Sequence, residues 1–233
     1  MNILITGSAR GLGFETVKAA LALGHTVFAG VRDMERHTES LRAMRAVHPD
    51  RLTLIAMDVT DEESVKNAKS AVLEHTDVLD ALINNAGVLI GREHKLEELD
   101  FADMEQSMLA NLYGPMKAVK HFLPLLRRSA QPCIINISSE AGCFAGAYGG
   151  DYPYAISKSG LNYFTAQLRK ELTPQNFAIY AVHPGWIRTP MGGDQAPGDP
   201  ADTAQGLLRI VERTVIPDPN AWMVNHRGEA MPF

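Results

Sequence analysis

The sequence predicts an α/β fold: a single doubly wound domain in which a parallel sheet of about seven strands is covered by helices on both faces. Short apolar runs alternate with longer stretches of helical period from the first residue onward, which is the pattern of βαβ units. The chain has 233 residues, of which 45% are hydrophobic, and this is enough to bury one large core. We therefore expect residues 1–233 to form one domain.

The strands are predicted from short apolar runs bounded by turn residues. In chain order they cover residues 2–6, 25–31, 52–57, 78–84, 133–138, 178–183 and, more weakly, 221–224. Helical period marks residues 13–23, 62–74, 100–127 and 201–213. Asp61 is the expected N-cap of the helix over 62–74, because the acidic residues after it suit the positive end of the helix dipole. Gly114-Pro115 should bend the long helix over 100–127.

Composition and charge limit the function classes. The formal net charge is −5, the basic residues are scattered, and no apolar stretch approaches the length of a membrane span. The first residues run directly into a glycine loop, so they indicate a strand rather than a signal peptide. Cys133 and Cys143 are expected to be free thiols in a reducing cytoplasm, and the dispersed histidines indicate no metal site. We expect a cytoplasmic protein whose partner is a small molecule, not nucleic acid or a membrane.

A glycine-rich run follows the first predicted strand and opens the first helix. Gly7, Gly11 and Gly13 let the backbone approach a phosphate closely, and the helix N-terminus adds amide donors and a positive dipole end. The run therefore predicts a nucleotide-phosphate cradle of the Rossmann type. The alternative is a tight strand-to-helix turn without a ligand.

A tyrosine and a lysine stand one helical turn apart, at Tyr154 and Lys158. On a helix both side chains share one face. A phenol has a pKa near 10, and a nearby ammonium favours its ionised form, so this pair predicts a tyrosine that exchanges protons near neutral pH. Tyr152 cannot take this role, because its partner four residues on is Ile156. The alternative is an ordinary surface Tyr and Lys.

Further motifs extend the pattern: Asn84-Asn85-Ala86-Gly87 after the fourth strand, Asn111 in the long helix, Ser138-Ser139 ending the fifth strand, and Pro184-Gly185 after the sixth. With the glycine loop and the Tyr154–Lys158 pair, they stand in the order of the short-chain dehydrogenase/reductase family, which the chain resembles over most of its length. The segments after Pro184-Gly185 and at 225–233 look like the C-factor-type and carbonyl reductase branch of that family.

The resemblance implies a catalytic set. Tyr154 would be the general acid and base, and Ser139 would hydrogen-bond the substrate oxygen. Lys158 would also hold the nicotinamide ribose, and Asn111 would bind a water linked to Lys158. Ser138 is a lesser candidate, since the loop over 140–153 is slightly longer than in relatives. The alternative for Asn111 is a helix-bending role beside Gly114-Pro115.

The cofactor expected is NADP(H). NAD-preferring relatives have an acid at the end of the second strand, where this chain has Val31. Arg32 and Arg10 can instead converge on a 2′-phosphate. The alternative is that Arg32 pairs with Asp33 or Glu35 and Arg10 faces solvent.

By the same resemblance, cofactor contacts fall on the glycine loop, the adenine side, the loop after the fourth strand, the Tyr-Lys helix and the segment that holds the nicotinamide carboxamide. They are Gly7, Arg10, Gly11, Leu12, Gly13, Arg32, Asp58, Val59, Asn85, Ala86, Gly87, Tyr154, Lys158, Pro184, Gly185, Ile187 and Thr189.

The expected activity is hydride transfer between nicotinamide and a carbonyl or secondary alcohol. Substrate should contact residues 88–92, 140–152 and 186–193, with a short substrate loop at about 186–200. An apolar and aromatic pocket is expected from Phe144, Tyr148, Trp186 and Met191. Two alternatives remain: a non-catalytic NADP(H)-binding regulatory or signalling protein, and an isomerase or epimerase with a recycled cofactor. By resemblance, a homodimer or homotetramer forms through the long helix and the Tyr-Lys helix.

Overall fold

Seven parallel strands form a single sheet in the computed structural model, which describes all 233 residues. Their bounds are β1 Asn2–Thr6, β2 Thr26–Val31, β3 Leu52–Ala56, β4 Ala81–Asn84, β5 Cys133–Ile137, β6 Ala178–His183 and β7 Met223–Asn225. Their order across the sheet is β3-β2-β1-β4-β5-β6-β7. The predicted fold class is therefore confirmed.

Seven α-helices cover the sheet. They are α1 Gly11–Ala22, α2 Glu39–Val47, α3 Glu62–Leu73, α4 Phe101–Met108, α5 Gly114–Leu126, α6 Tyr152–Leu172 and α7 Pro200–Val211. Asp61 is the N-cap of α3, where its carboxylate accepts from the Glu63 N–H at 3.0 Å. Helix α2 was not marked by the sequence pattern, since Leu41 is its one buried residue. None of the helices combines the length and the apolar character that a membrane crossing requires.

Two apolar cores lie on opposite faces of the sheet, because successive strand residues point to opposite sides. Ile3 and Ile5 of β1 belong to the core under α1 and α7. Leu4, between them, belongs to the core of α3, α5 and α6, which also holds Phe28 and Phe122. Both faces of the central strands are therefore apolar, as parallel sheets require.

The strand order reverses between β1 and β4. Strands β2 and β3 are added on one side of β1, and β4 then pairs with the other side of β1. In open α/β sheets, ligands bind at such a reversal, outside the carboxyl ends of the strands. The glycine loop and the residues after β4 both lie at that edge.

The long helix predicted over 100–127 is interrupted. Helix α4 passes into a π-helical turn, Leu109–Tyr113, before α5 begins. The Gly114 N–H donates to the Leu109 carbonyl, five residues back rather than four. Pro115 has no N–H to donate, so the helical register slips here. The predicted bend at Gly114-Pro115 is thus a π turn placed just before it.

The start of β4 also differs from the prediction of 78–84. The ladder begins at Ala81, and Asp80 instead ties neighbouring segments together. Its carboxylate accepts from the Asn2 N–H at 2.7 Å and the Ser129 hydroxyl at 2.6 Å. Cys133 and Cys143 are free and buried, as expected.

Candidate active site

The glycine loop after β1 packs tightly against the loop after β4. Gly7 has a φ of +66°, and a Cβ there would lie 2.8 Å from the Ala86 Cα. A Cβ on Gly13 would lie 2.3 Å from the Gly7 carbonyl oxygen and 2.5 Å from the Asn85 Nδ2. Neither position can accept a side chain without moving backbone. The glycines are therefore required by the loop itself, before any ligand is considered.

Hydrogen bonds join the same two loops. The Thr6 Oγ1 accepts from the backbone N–H groups of Asn85 and Ala86, each at 3.0 Å. The Asn85 Nδ2 donates to the carbonyls of Thr6 at 2.9 Å and Gly7 at 3.1 Å. On the other side, the Ser8 N–H donates to the Gly30 carbonyl of β2 at 3.0 Å. The loop is thereby held on both flanks.

The N-terminus of α1 has donors to spare. Its N-cap, Arg10, makes no side-chain capping bond, and the first turn, which includes the buried Leu12, contains no acidic residue. The first N–H groups of a helix have no intrahelical acceptor, so they are available to an anion. The loop and helix together form a site that suits a phosphate.

Arg10 and Arg32 are exposed and form no ion pair. The alternative pairing of Arg32 is not found, because Asp33 lies 3.4 Å from Arg36 and Glu35 lies 2.9 Å from Arg42. Two guanidinium groups near the phosphate site are thus free to bind an anion.

Asp58 and Val59, the residues predicted for the adenine side, follow β3. One oxygen of Asp58 accepts from the N–H and hydroxyl of Thr60 at 2.9 and 2.7 Å. Val59 is buried against Gly114, where a Cβ would lie 2.9 Å from the Val59 Cγ2. The second Asp58 oxygen makes no hydrogen bond and can accept one from a ligand.

The Lys158 ammonium is buried beside the end of β5. Its Nζ donates to the Ile137 carbonyl at 2.7 Å, and only 4% of the residue is exposed. Burial lowers the pKa of Lys158 to about 8. A Cβ on Gly87 would lie 3.7 Å from Nζ, so the loop after β4 passes close to this ammonium.

The pKa of Tyr154 is raised, not lowered. Burial is the main cause; the hydrogen bond with the Ser139 hydroxyl lowers the pKa of this phenol, and the Asp151 carboxylate raises it. The Lys158 Nζ lies 5.6 Å from the centre of the Tyr154 ring and is directed to the Ile137 carbonyl. The expectation of a lowered pKa for Tyr154 is therefore wrong for the protein chain by itself, because burial outweighs the other effects.

The two serines at the end of β5 face different surroundings. The Ser138 hydroxyl is buried and donates to the Asn162 Oδ1 at 2.5 Å. Ser139 is half-buried; its hydroxyl accepts from the Ala141 N–H at 3.2 Å and contacts the Tyr154 hydroxyl. Of the two, Ser139 is the serine beside the phenol.

Asn111 lies in the π turn and is fully buried. Its Oδ1 accepts from the Val88 N–H at 2.8 Å, while its Nδ2 donates to the Val88 carbonyl and the Ser157 hydroxyl, both at 3.0 Å. The side chain is thus fully engaged. The backbone carbonyl of Asn111 cannot accept from the residue four positions on, because that residue is Pro115, which has no N–H.

The segment after β6 folds back on the glycine loop. Gly185, with a φ of +87°, follows Pro184, whose carbonyl accepts from the Thr203 hydroxyl at 3.0 Å. Ile187 is buried and pairs with Gly198. A Cβ on Gly11 would lie 3.4 Å from the Thr189 Cβ, so Thr189 sits next to the phosphate cradle.

The predicted substrate residues are exposed. Phe144 is 77% exposed, Trp186 58%, Tyr148 52% and Met191 45%. They lie on the loops after β5 and β6, at the edge of the sheet that carries Tyr154. Each of the four side chains is on a loop and exposes a large part of its surface to solvent, so they do not enclose a cavity by themselves. The apolar and aromatic substrate pocket stays a prediction.

Three residues of the site were missed as individual candidates. Ser157 links the π turn to α6, donating to the Tyr154 carbonyl at 2.7 Å. Arg92 and Asp151 lie close enough to Tyr154 to affect its pKa. Both Arg92 and Asp151 fall in segments predicted to contact substrate, 88–92 and 140–152, but neither was singled out within them.

Comparison with known proteins identifies the family. A family model described as short chain dehydrogenase matches residues 1–199. The chain belongs to this family. The chain is therefore an oxidoreductase of the short-chain dehydrogenase type.

Curated relatives include signalling and metabolic proteins. The chain is 33% identical to the C-signal of Myxococcus xanthus over 159 residues, 68% of this chain and 95% of that one. It is 30% identical to the 3-oxoacyl-[acyl-carrier-protein] reductase FabG of Thermotoga maritima, over 81% of this chain and 74% of that one. With rat estradiol 17-beta-dehydrogenase 2 it shares 33% identity over 83% of this chain, but only 50% of the longer enzyme is covered.

Solved structures with a similar fold include carbonyl reductases. An NADPH-bound carbonyl reductase from chicken fatty liver superposes with a TM-score of 0.91 at 29% identity, covering 100% of this chain and 98% of that one. The carbonyl reductase Sniffer of D. melanogaster also gives 0.91, at 28% identity, with 100% and 99% covered. A Burkholderia multivorans short-chain dehydrogenase/reductase with bound NADP gives 0.85 at 26% identity, with 100% and 99% covered.

Proposed function

We propose that this protein is an NADP(H)-dependent carbonyl reductase or alcohol dehydrogenase, with Tyr154 as the general acid and base. One observation carries the proposal: the Tyr154 hydroxyl, the Ser139 hydroxyl and the Lys158 ammonium lie at the carboxyl edge of the sheet, where the glycine cradle also opens. A proton donor and a nucleotide site on one edge suit hydride transfer coupled to proton transfer.

The residues present fit NADP(H). The cradle and the uncapped N-terminus of α1 suit the pyrophosphate. Arg10 and Arg32 are unpaired cations that would hold the 2′-phosphate, and Val31 offers no acid to repel it. Carbonyl reductase and dehydrogenase structures of similar fold contain NADPH or NADP. Thr189 and Ile187 would hold the nicotinamide end, beside Gly11.

When bound, the cofactor supplies or accepts the hydride. Tyr154 gives its phenolic proton to the carbonyl oxygen in reduction and takes it back in alcohol oxidation. The raised pKa keeps Tyr154 protonated near pH 7, which is the form that reduction needs. Ser139 donates a hydrogen bond to the same oxygen and fixes its position.

Lys158 and Asn111 position the reacting groups. The Lys158 ammonium would donate to the nicotinamide ribose while it keeps its bond to the Ile137 carbonyl. A water linked to Lys158 would form a proton relay. It would bind the Asn111 backbone carbonyl, because the Asn111 side chain is already hydrogen-bonded to Val88 and Ser157. Protons could then reach Tyr154 through Lys158.

The substrate would be a ketone or aldehyde that meets Phe144 and Trp186 from solvent. Pairing of two copies through α5 and α6 is part of the proposal. Tyr113, Met116 and Tyr163 are large exposed apolar residues of the π turn, α5 and α6, which is the composition of a subunit interface.

A panel of ketones and aldehydes, incubated with the protein and NADPH, tests the proposal. We expect NADPH consumption matched one to one by alcohol product. Tight NADPH binding without turnover on any panel member would instead favour the second candidate, a non-catalytic nucleotide-binding signalling protein. The similarity to the Myxococcus C-signal favours that candidate.

A further inference from the structure

Asp151 is a buried carboxylate at the start of the helix that carries Tyr154. Only 7% of it is exposed, and its φ of 48° lies in the left-handed region. It precedes α6 as the N-cap, and its backbone carbonyl accepts from the Ala155 N–H at 2.8 Å, but its side chain makes no capping hydrogen bond to the helix. Burying a carboxylate costs stability, and so does a left-handed φ in a residue other than glycine. The carboxylate must therefore be held by something other than helix capping.

The two oxygens of Asp151 have unequal partners. Oδ2 accepts from the Tyr148 hydroxyl at 2.8 Å. Burial and this hydrogen bond raise the pKa of Tyr148 to about 12, so Tyr148 stays a donor. Oδ1 is buried and has no hydrogen bond; the Arg92 Nε lies 3.5 Å away, within ion-pair range but without hydrogen-bond geometry. A buried carboxylate oxygen without a donor is a place for a ligand donor.

The Asp151 Oδ1, which accepts no hydrogen bond, lies near Tyr154, the proposed proton donor. Asp151 stands one helical turn before Tyr154, and both Asp151 and Arg92 act on the pKa of that phenol. Arg92 comes from the loop after β4 and Asp151 from the loop after β5. A groove of about 430 Å³ runs past Arg92, Gly150 and Tyr152, but neither Asp151 nor Tyr154 lines it, so a ligand would reach the Asp151 Oδ1 from the side that Arg92 covers. The Arg92 side chain is 59% exposed, so it can turn aside to admit a ligand.

The chemistry of the pair selects a neutral group that both donates and accepts. Arg92 and Asp151 together carry no net charge, so a carboxylate or an ammonium meets one attraction and one repulsion and gains little from its charge. A hydroxyl inserted between them donates to the Asp151 Oδ1 and accepts from the Arg92 guanidinium. We propose that Arg92 and Asp151 bind a substrate hydroxyl adjacent to the reacting carbonyl, so that hydroxy ketones and the matching vicinal diols are preferred substrates. This inference rests on the proposed function.

Turnover with a matched pair of ketones tests the specificity. Phenacyl alcohol has the hydroxyl next to its carbonyl, and its methyl ether lacks only the donor. We expect wild type with NADPH to prefer the alcohol by about tenfold to hundredfold in kcat/KM, the range for a hydrogen bond to a charged group. Asp151→Asn keeps the shape and the left-handed preference, and Asp151→Gly keeps only the latter. Both should reduce the preference about tenfold or more. The ratio of the two kcat/KM values is the readout, because any effect of the lost carboxylate on Tyr154 acts on both ketones alike.

Glu93→Gln is the matched control, because Glu93 follows Arg92 in the same loop and its substitution also removes one carboxylate charge. It should leave the preference unchanged. No preference in wild type, or an equal loss with both ketones in Asp151→Asn, would overturn the proposal, since the latter is what a purely structural role produces.

Binding separates this inference from the proposed function. Calorimetry on the NADP⁺ complex would compare styrene glycol with methyl phenyl carbinol, which lacks the second hydroxyl. Tighter binding of the glycol, lost in Asp151→Asn, upholds the Arg92–Asp151 site even if no ketone is turned over. Equal binding of the two alcohols contradicts it, whatever the activity.

Discussion

The two sides of the cleft differ in how they are held. On the cradle side, Thr6, Gly7 and Asn85 are joined by short hydrogen bonds, and a single added methyl group would collide with backbone. On the facing side, Phe144 and Trp186 are exposed, and a buried carboxylate oxygen has no donor. A fixed backbone suits a ligand group that never changes, the pyrophosphate. Replaceable side chains on loops suit the part of the site that sets substrate choice.

The largest effect expected on the cradle side is in nucleotide choice. Arg32→Ala should weaken NADPH binding about tenfold to hundredfold and leave NADH binding nearly unchanged, because one charge-assisted bond to the 2′-phosphate is lost. Dissociation constants for both nucleotides measure this. Arg36→Ala is the control, since Arg36 is paired with Asp33. Equal affinities for NADPH and NADH in wild type would contradict the assignment of Arg32.

A glycine pair tests the difference in rigidity. Gly13→Ala should lower the free energy of unfolding by about 1 to 3 kcal/mol, because its Cβ would lie 2.3 Å from the Gly7 carbonyl oxygen. Gly146→Ala, on the substrate side, meets nothing closer than 3.9 Å and should change stability by less than about 1 kcal/mol. Denaturant unfolding of both variants measures this. Similar losses at the two positions would show that the two sides are equally constrained.

The smallest expected effect is on the free energy of unfolding, and it comes from the burial of the Lys158 ammonium. Its folded pKa, about 8, lies below the ordinary 10.5, so folding disfavours the ammonium, and this cost is relieved as pH rises from 8 through 10.5. Lys158→Met should therefore raise the free energy of unfolding near pH 7 by about 1 to 2 kcal/mol, after the lost bond to Ile137 is counted. Most of the gain should be lost by pH 10.5, where the folded lysine is neutral and the unfolded one is only half protonated.

Unfolding curves at the two pH values, together with NADPH affinity, measure the role of Lys158. The same variant should bind NADPH more weakly, because the ribose loses its donor. A variant less stable than wild type near pH 7 would mean that the ammonium is fully compensated within the folded chain.

The parts of the molecule that the sequence predicted are locally encoded. Strand and helix periods fixed the seven strands within a few residues, and the spacing of Gly7, Gly11 and Gly13 after an apolar strand predicted the cradle. A glycine that a loop requires can be recognised from its immediate neighbours in the chain. Assigning Ser139 and Lys158 needed the family resemblance as well, and their catalytic roles remain predictions.

Features that depend on distant residues could not be predicted. The substrate segments 88–92 and 140–152 were predicted, but the approach of Arg92 to within 3.5 Å of Asp151 could not be read from either segment alone. The pKa of Tyr154 was predicted in the wrong direction, because helical spacing gives the distance to Lys158 but not the burial of the phenol or the carbonyl that holds the ammonium. The π turn at Asn111 could not be predicted either, because it depends on how the helix changes its hydrogen bonding where Pro115 lacks an N–H.

The central claim is that Tyr154 supplies the proton in a carbonyl reduction with NADPH. Its most direct test compares alcohol formation by wild type, Tyr154→Phe and Tyr152→Phe, each with its NADPH dissociation constant. We expect Tyr154→Phe to lower turnover about 10²- to 10⁴-fold with unchanged NADPH affinity, since one proton donor is removed, and Tyr152→Phe to retain most activity. Turnover that survives in Tyr154→Phe, or is lost in Tyr152→Phe instead, would contradict the account.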